Sequence, residues 1–501
     1  MEVIVNISNT QYDVIEEIIK DLNWKCTTNP EDTKYDIFWQ DSALSPENLA
    51  QLSVHQRINH FPGIQTISRK DELAKNLKSI QKIFPLAYNF FPKTWVLPRD
   101  FADLKSQFSN KKPKTYICKP EALSQGKGIF LTRKLEDIPE KCVVQRYKQK
   151  PYLIDGLKFD LRVYVLLLSC DPLKIYVHKE GLVRFATESY LLPNCGNLGN
   201  TCMHLTNYAI NKENPKFEYN SSLTEDFKGH KRSLKKLFEY LGENGVNTKQ
   251  LWMDIEDIIT KTICVAQPAL VHLYKSSQPN DPTGAICFQV LGFDILINSK
   301  LKPILLEVNH TPSFATESPL DIYVKKNVIS DALKMLGIQQ RIDLSMNEAR
   351  HKMRCKDIKV FRQELKEKWL QSREIIEEIY HGGYKKIFPN NRTEFQDYLK
   401  AAKTVWINQL GARKRKENSS GNIKVFKSKF ISKKITRKSI FERMATTPHQ
   451  IKSSNDISNI KIKSTSRPPI SLKNYGCYVR PKLFEFSDSK ISISKEFSKQ
   501  G

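Results

Sequence analysis

Cysteine is scarce in this chain of 501 residues, and it is not grouped. The ten cysteines are scattered from Cys26 to Cys477, and none belongs to a C-x-x-C pair. A disulfide framework or a zinc module is therefore not expected, and the scattered cysteines are consistent with a protein of a reducing compartment. Long apolar runs are also missing: the most apolar stretch, 163–170, is far shorter than the about 20 residues that span a bilayer. The first residues show no basic segment of a signal peptide, so we expect an intracellular, soluble protein.

Several catalytic signatures are absent as well. The chain has no G-x-x-x-x-G-K-[ST], no H-R-D or D-F-G set and no G-x-S-x-G, which argues against a P-loop enzyme, a protein kinase and a serine hydrolase. A small α/β unit is predicted from strands at 3–7 and 35–39 and a helix at 12–22. It lacks a G-x-G-x-x-G, so we predict no dinucleotide site there.

Acidic residues are few relative to basic ones. Lys and Arg number 80 against 54 Asp and Glu, which gives a net charge of +26 and a pI of about 9.5. An anionic partner is therefore expected: nucleic acid, an acidic protein surface or a phospholipid face. No recognition helix, finger or aromatic RNP pattern supports nucleic acid. The length suggests about three domains, and 40% hydrophobic residues support real cores.

The strongest local pattern is a β-hairpin. Residues 288–297 and 303–308 are apolar and β-prone, and 298–302 has the composition of a turn. A symmetric turn would pair Ile297 with Ile304.

The same register places Asp294 opposite Glu307, with Cβ atoms roughly 5 Å apart. Asn309 follows two residues after Glu307 and shares its face. These oxygen ligands suit Mg²⁺, which binds through one or two carboxylates plus substrate phosphates. The alternative is an accidental pair of exposed acids, which the apolar setting of FDILI and LLEV disfavours.

Cations accompany this hairpin in other predicted strands. Lys119 closes a strand before a glycine-containing loop whose backbone could approach phosphates. In KFDLR, Lys158, Asp160 and Arg162 occupy one strand face; the alternative is the solvated face of an edge strand. Residues 174–186 are predicted to form a hairpin through Gly181. His204 is predicted to be a structural histidine.

The carboxy-terminal part is predicted to be a basic extension and a tail. Ser345 and Glu348 form a capping box that opens a long helix, and Gly382 can close it. The helix is rich in Lys and Arg in its first half. Residues 411–501 are predicted to be mostly disordered.

Several segments, taken together and in order, resemble the tubulin–tyrosine-ligase-like family, and within it the polyglutamylases of the alpha-tubulin elongating type. They are KP at 119–120, QGKGIF at 125–130, IDGLKFDLRVYV at 154–165, EGLVRFAT at 180–187, CMHLTNYAINK at 202–212, GFDILINSKLKPILLEVNHTPSF at 292–314 and HGGYKKIFP at 381–389. The resemblance covers about residues 10–400.

The resemblance implies an ATP-grasp fold, an α/β (α+β) architecture in which nucleotide lies between two β-rich lobes. The expected domains are an amino-terminal α/β domain at 1–70, a central ATP-grasp domain at 71–185, a carboxy-terminal ATP-grasp domain with the metal site at 186–340, a basic helical microtubule-binding extension at 341–410, and the disordered tail at 411–501.

The resemblance also assigns roles to residues of this sequence. ATP would be bound by Lys119, Gln125, Gly126, Gln145, Arg146, Tyr147, Lys148, Lys158, Phe159, Asp160, Thr206 and Asn207. Magnesium, expected as two ions, would be held by Asp294, Glu307 and Asn309. The incoming amino acid and the acceptor would contact Gln125, Arg184, Ala209, Lys231, His310 and Pro319. Catalysis would depend on Lys158, Arg162 and Glu307.

The implied activity is ATP-dependent addition of free L-glutamate to glutamate side chains of tubulin tails, through an acyl phosphate. Tubulin and microtubules would be the partners, with no membrane, and a monomer is expected. The expected location is the cytoplasm and cytoskeleton, with the cilium or basal body. A glycylase or tyrosine ligase on the same scaffold, and a non-catalytic microtubule-binding protein, remain alternatives.

Overall fold

The computed structural model describes residues 2–109, 114–120, 126–220, 228–281, 283–338 and 358–411. Gln125, the capping-box residues Ser345 and Glu348, and the predicted tail from 412 onward lie outside the described residues. Helical side chains at 358–366 and 368 are likewise not described.

The described residues form fifteen strands. They are β1 (Ile4–Asn9), β2 (Lys25–Thr27), β3 (Ile37–Gln40), β4 (Arg57–Ile58), β5 (Thr94–Val96), β6 (Tyr116–Lys119), β7 (Phe130–Thr132), β8 (Val143–Arg146), β9 (Leu153–Ile154), β10 (Leu157–Cys170), β11 (Leu173–Phe185), β12 (Lys231–Ser233), β13 (Gln289–Ile297), β14 (Pro303–Asn309) and β15 (Tyr384–Phe388).

The same part of the chain contains twelve helices. They are α1 (Asp13–Asp21), α2 (Pro46–Ala50), α3 (Gln65–Ser68), α4 (Lys70–Gln81), α5 (Phe101–Phe108), α6 (Thr201–His204), α7 (Tyr208–Asn211), α8 (Leu234–Glu243), α9 (Thr248–Ser277), α10 (Pro319–Met335), α11 (Ile358–Ile379) and α12 (Glu394–Gln409). None of the helices described is long and apolar enough to cross a membrane.

Three sheets organise these elements. A parallel sheet near the amino terminus has the order β2-β1-β3-β4, and an antiparallel sheet has the order β5-β8-β6-β7. The large antiparallel sheet has the order β12-β11-β10-β13-β14, with β9 beside β10 and β15 beside β11. The predicted mixed α/β class is therefore confirmed.

The large sheet is covered on both faces. On one face, alternate residues of β10 such as Leu161 and Val163 pack in a core with Ile259 of α9. On the other face, Tyr164 and Leu166 lie in a core with residues of α10 and α1. Because side chains alternate along a strand, the charged residues at the start of β10 point to the face that carries α10.

β10 is a central strand, paired with β11 on one side and β13 on the other. The alternative of a solvated edge strand for KFDLR is therefore excluded. The predicted hairpin through Gly181 is wrong, because β11 runs through that residue as one strand. A Cβ at Gly181 would lie 2.5 Å from the Arg162 carbonyl oxygen and 2.9 Å from Leu234 Cδ2. The glycine serves a close approach of chain segments rather than a turn.

Candidate functional site

The predicted hairpin of β13 and β14 is present, and Asp294 pairs with Glu307 as expected. The predicted register at the turn is wrong, since Ile297 pairs with Pro303 instead of Ile304. A bulge next to the acid pair adds one residue to β14 and corrects the offset. At the turn, β13 pairs with β14 residues one position earlier than predicted, and the bulge shifts the pairing back by one position. Asp294 therefore still lies opposite Glu307.

Charged side chains form a row across the large sheet, from its β12 edge to its β14 edge. Neighbouring strands contribute directly paired positions, so the side chains of each pair are within reach of one another. The cross-strand pairs are Lys231 with Arg184, Arg184 with Asp160, Arg162 with Asp294, and Asp294 with Glu307.

Two arginines neutralise Asp294 within this row. Arg162 Nε lies 2.6 Å from Asp294 Oδ1, its Nη2 lies 3.1 Å from Oδ2, and Arg184 Nη2 lies 2.8 Å from the same Oδ2. Burial alone would raise the pKa of Asp294, but the two guanidinium groups outweigh it and hold that pKa well below its ordinary value.

Arg184 also binds a second buried acid, Asp160. Its Nε donates to Asp160 Oδ1 at 2.9 Å, and its Nη2 contacts Oδ2. For Asp160, burial outweighs the arginine and raises the carboxyl pKa above its ordinary value. The arginine that the resemblance assigns to the incoming amino acid is thus already bridging two carboxylates.

Two charged groups of the site have no such partner. Lys119, at the end of β6, is only 7% exposed, and neither its side chain nor that of Glu307 makes a hydrogen bond or ion pair with any residue that the structure describes. Burial lowers the pKa of Lys119, although Glu307 partly opposes that shift. A buried ammonium without a partner is costly, so this arrangement suits an external anion.

Both groups line a cavity of about 650 Å³, including its open mouth, between the large sheet and the β5-β8-β6-β7 sheet. This volume is within the range of small-molecule sites. The residues predicted from sequence that line it are Lys119, Gln145, Arg146, Tyr147, Lys148, Lys158, Asp160, Arg184, Thr206, Asn207, Asp294 and Glu307.

The cavity also has an apolar part that the sequence analysis did not predict. Ile117, Ile129, Leu296 and Leu306 line it, and such side chains can pack against a flat ring. Ile117 lies two residues before Lys119 on β6, so strand alternation was a usable signal for it. The other three lie on different segments, and only the tertiary fold brings them together.

Some predicted nucleotide residues lie beside the cavity rather than in its wall. Gly126 has φ of +85°, and a Cβ there would lie 3.1 Å from Asn207 Cγ, so its backbone packs on the cavity residue Asn207. Phe159 faces the opposite side of β10, in the hydrophobic core, with its ring centroid 5.2 Å from that of Phe185. Arg162, which the resemblance assigns to catalysis, does not line the cavity and lies behind Asp294, whose carboxylate it binds.

The residues that the resemblance assigns to amino acid and acceptor are spread over the carboxy-terminal side. Ala209 is in α7, Pro319 is the first residue of α10, and half-buried His310 directly follows β14. Lys231 lies next to Arg184 across β12 and β11. Its Nζ is 2.7 Å from Asp321 Oδ2.

The donor set fits magnesium by its chemistry. Glu307 offers a half-buried carboxylate without a protein partner among the described residues, and Asp294 and Asn309 lie beside it, the Asn309 amide being 3.3 Å from Asp294 Oδ2. Magnesium commonly uses one or two carboxylates together with substrate phosphates. Within the described ranges no three His, Cys, Asp or Glu residues form a metal-binding group by themselves.

Comparison with known proteins finds one matching family and several similar proteins. The profile described as "Tubulin-tyrosine ligase family" matches residues 47–347. The chain is 45% identical over 430 residues to "Probable beta-tubulin polyglutamylase" of Tetrahymena thermophila, covering 82% of this chain and 36% of that protein. It is 39% identical to mouse "Tubulin polyglutamylase TTLL6" (82% and 51% covered) and 43% identical to human "Tubulin polyglutamylase TTLL13" (78% and 49% covered). The chain therefore spans about a third to a half of the length of these curated relatives.

Proposed function

The chain belongs to the tubulin–tyrosine ligase family, and on that basis we propose that it is an ATP- and magnesium-dependent ligase that adds glutamate to glutamate side chains of tubulin carboxy-terminal tails. The relatives at 39–45% identity are named as tubulin polyglutamylases, which supports both the acceptor and the amino acid. The observation that carries the proposal is the buried charged row, which faces a cavity of nucleotide size.

The proposed nucleotide site lies between the two antiparallel sheets, in the manner of an ATP-grasp fold. Lys119 and Lys158 come from different sheets and line the same cavity, so both ammonium groups can approach one triphosphate. The apolar side chains beside them would hold the base, and Thr206 and Asn207 would contact the ribose or phosphates.

The proposed reaction has two steps. First, a carboxylate oxygen of the acceptor glutamate attacks the terminal phosphorus of ATP, the bond to ADP breaks, and an acyl phosphate forms. The amine of free glutamate then attacks the acyl carbon, a C–N bond forms, the bond to phosphate breaks, and the amine proton is released. Lys119 and Lys158 supply positive charge for both steps, because fixed cations stabilise charge that develops in a transition state. Arg162 acts indirectly, by holding Asp294 beside the cavity.

Magnesium would be held by Glu307, Asp294 and Asn309, where it would neutralise phosphate oxygens. This requires Asp294 to share its oxygens between the metal and the two arginines. Glu307 needs no such exchange and is the carboxylate we expect to dominate metal binding.

The acceptor is proposed to be an acidic tail on the microtubule. A net charge of +26 raises the local concentration of such a polyanion near the protein. The proposed partners are therefore tubulin and microtubules, with free L-glutamate as co-substrate. The proposed working form is a monomer in the cytoplasm and cytoskeleton, including the cilium or basal body.

The experiment that tests this function offers the protein microtubules, ATP and Mg²⁺ with labelled glutamate, glycine or tyrosine in separate reactions. Mass spectrometry of the tubulin tails then identifies what was added and where. Glutamate attached to a glutamate side chain supports the proposal. Label from glycine or tyrosine alone would assign the scaffold to one of the alternative ligases, and no label from any of the three would favour a non-catalytic binder.

A further inference from the structure

Lys158 is a buried cation that neutral groups hold in place. Its side chain lies on β10, and the residue is only 7% exposed. Its Nζ donates to the Tyr147 hydroxyl at 3.2 Å and to the main-chain carbonyl of His204. The ammonium also lies 4.7 Å from the centroid of the Tyr147 ring. Neither direct hydrogen-bond acceptor carries a formal charge.

The ring of His204 continues this set of contacts. His204 has no exposed surface, its Nε2 lies 3.0 Å from the Asn197 carbonyl oxygen, and its Nδ1 lies 3.2 Å from the Tyr147 hydroxyl. A carbonyl oxygen only accepts, so Nε2 carries the hydrogen. Burial, together with Lys158, lowers the pKa of His204, so the ring is neutral and Nδ1 is an acceptor.

These assignments leave two near acceptors for the Tyr147 hydroxyl, His204 Nδ1 at 3.2 Å and the His204 carbonyl oxygen at 3.4 Å. Both acceptors belong to His204, and with the hydroxyl proton directed to that residue the Tyr147 oxygen accepts from Lys158. The hydroxyl of Tyr190 is used elsewhere, donating to the Gln149 carbonyl at 2.8 Å. Two of the three N–H bonds of Lys158 are thereby committed, and the third remains for the cavity that Lys158 lines.

The neutrality of the acceptors separates this arrangement from an ordinary buried ion pair. A lysine that serves stability alone is normally matched by a carboxylate, because an uncompensated buried charge is costly. The acid that acts electrostatically on Lys158 is Asp160, and Asp160 is already bound to Arg184. The Lys158 charge is oriented by its contacts but is not neutralised by them.

We propose that His204 and Tyr147 are positioning residues, which align the Lys158 ammonium for the phosphates of a nucleoside triphosphate. The role rests on the proposed function, since it requires a nucleotide in the cavity. It assigns a task to His204, which the sequence pattern indicated only as a structural histidine.

The test compares the full chain with Tyr147→Phe and His204→Phe. Tyr147→Phe keeps the ring beside Lys158 and removes only the hydroxyl. The matched control is Tyr164→Phe, because Tyr164 is a buried tyrosine on β10 whose hydroxyl has no hydrogen-bond partner among the described residues. Calorimetry with ATP gives the nucleotide affinity, and steady-state kinetics gives KM for ATP, KM for glutamate and kcat.

We expect both variants to bind ATP about tenfold more weakly, as for the loss of one hydrogen bond to a charged group. KM for glutamate should stay within about twofold, and Tyr164→Phe should match the wild type. His204→Gln, whose amide can still donate to Asn197 and accept from Tyr147, should recover most of the ATP affinity. Thermal unfolding of every variant checks that each one is folded, so that affinities and kinetics are compared between folded proteins.

The outcomes separate this inference from the function on which it rests. Wild-type ATP affinity and kinetics in both folded variants would overturn the positioning role and leave the proposed function intact. An equal loss for ATP and glutamate, without recovery in His204→Gln, would also overturn it. Nucleotide binding without any ligation by the wild type would overturn only the proposed function, and absence of nucleotide binding would overturn both.

Discussion

Asp294 and Glu307 are direct cross-strand partners, yet only Asp294 is neutralised by the protein. Asp294 is bound by two arginines, whereas the Glu307 side chain has no hydrogen bond or ion pair with the residues that the structure describes. The pair therefore combines a carboxylate that holds the sheet together with one that is available to a ligand. This division predicts that the two acids respond differently to removal of their charge.

Glu307→Gln is expected to lower ligase turnover at saturating ATP by at least about a hundredfold, because it removes the available carboxylate of the proposed magnesium site. Its free energy of unfolding should change by less than about 0.5 kcal/mol, since no described partner is lost. Turnover is measured by incorporation of labelled glutamate, and stability by urea unfolding. Full turnover in the variant would contradict the metal role.

Asp294→Asn is expected to destabilise the fold by about 3 kcal/mol, because it leaves Arg162 without a buried countercharge and Arg184 with Asp160 alone. Urea unfolding of Asp294→Asn and Glu307→Gln side by side measures the contrast. Similar stability of the two variants would show that the arginine contacts contribute little to the folded state.

The lowered pKa of Lys158 predicts that the use of ATP declines at alkaline pH. Burial lowers the pKa of Lys158 to about 8, so the free protein loses this ammonium as the pH rises through that value. We expect kcat/KM for ATP to be constant near pH 7 and to fall above about pH 8, since this parameter reports groups of the free enzyme. Lys158→Arg keeps its charge, and its alkaline limb should move upward.

Stability should change with pH in the opposite direction. The unfolded lysine has a pKa of about 10.4, so between pH 8 and that value the unfolded state binds more protons than the folded state. The effect of Lys158 is therefore to increase the free energy of unfolding as the pH rises through this window. Urea unfolding of wild type and Lys158→Met across it isolates the contribution, and identical pH dependence in both would refute the depressed pKa.

The sequence predicted the residue types of the site better than it predicted which strands pair to bring them together. Asp294, Arg162 and Asp160 could be placed on sheet faces because side chains alternate along a strand. The order β11-β10-β13 could not be predicted, because strand pairing over more than a hundred residues leaves no local signal, so the neutralisation of Asp294 by Arg162 and Arg184 was not foreseen. The bulge in β14 could not be predicted either, because nothing in the LLEV sequence distinguishes the bulged position from its neighbours.

Gly181 illustrates the same limit. A glycine between two β-prone runs indicates a turn or a close approach equally well, and Leu234, which distinguishes the two, lies more than fifty residues away in the chain. The structure selects the close approach.

Gly181→Ala is accordingly expected to destabilise the protein by about 1–3 kcal/mol, because the added methyl group would overlap the Arg162 carbonyl and Leu234. Gly199→Ala is the matched control, since a Cβ there meets nothing within 4 Å and should change stability little. Urea unfolding compares the two. Equal stability would mean that β11 shifts to accommodate the methyl group at no cost.

Asp321 is predicted to set the position of Lys231. Asp321 is fully buried at the start of α10, and its carboxylate lies 2.7 Å from Lys231 Nζ and 2.9 Å from Lys325 Nζ. Lys231 Nζ also lies 3.6 Å from the centroid of the Tyr208 ring. Loss of the charge at Asp321 would leave two buried ammonium groups repelling each other.

If Lys231 contacts the incoming amino acid, Asp321→Asn should raise KM for glutamate by about tenfold and leave KM for ATP unchanged, because losing a charged partner costs on the order of 1–3 kcal/mol. Asp331→Asn provides the comparison: Asp331 is also on α10 and accepts a hydrogen bond from the Gly383 amide at 2.7 Å, so its loss should affect stability alone. A general loss of stability would move both variants together, whereas a selective rise of KM for glutamate in Asp321→Asn supports an action of the buried carboxylate on the amino acid through Lys231. Equal KM values for glutamate in the two folded variants would remove Lys231 from the amino-acid site.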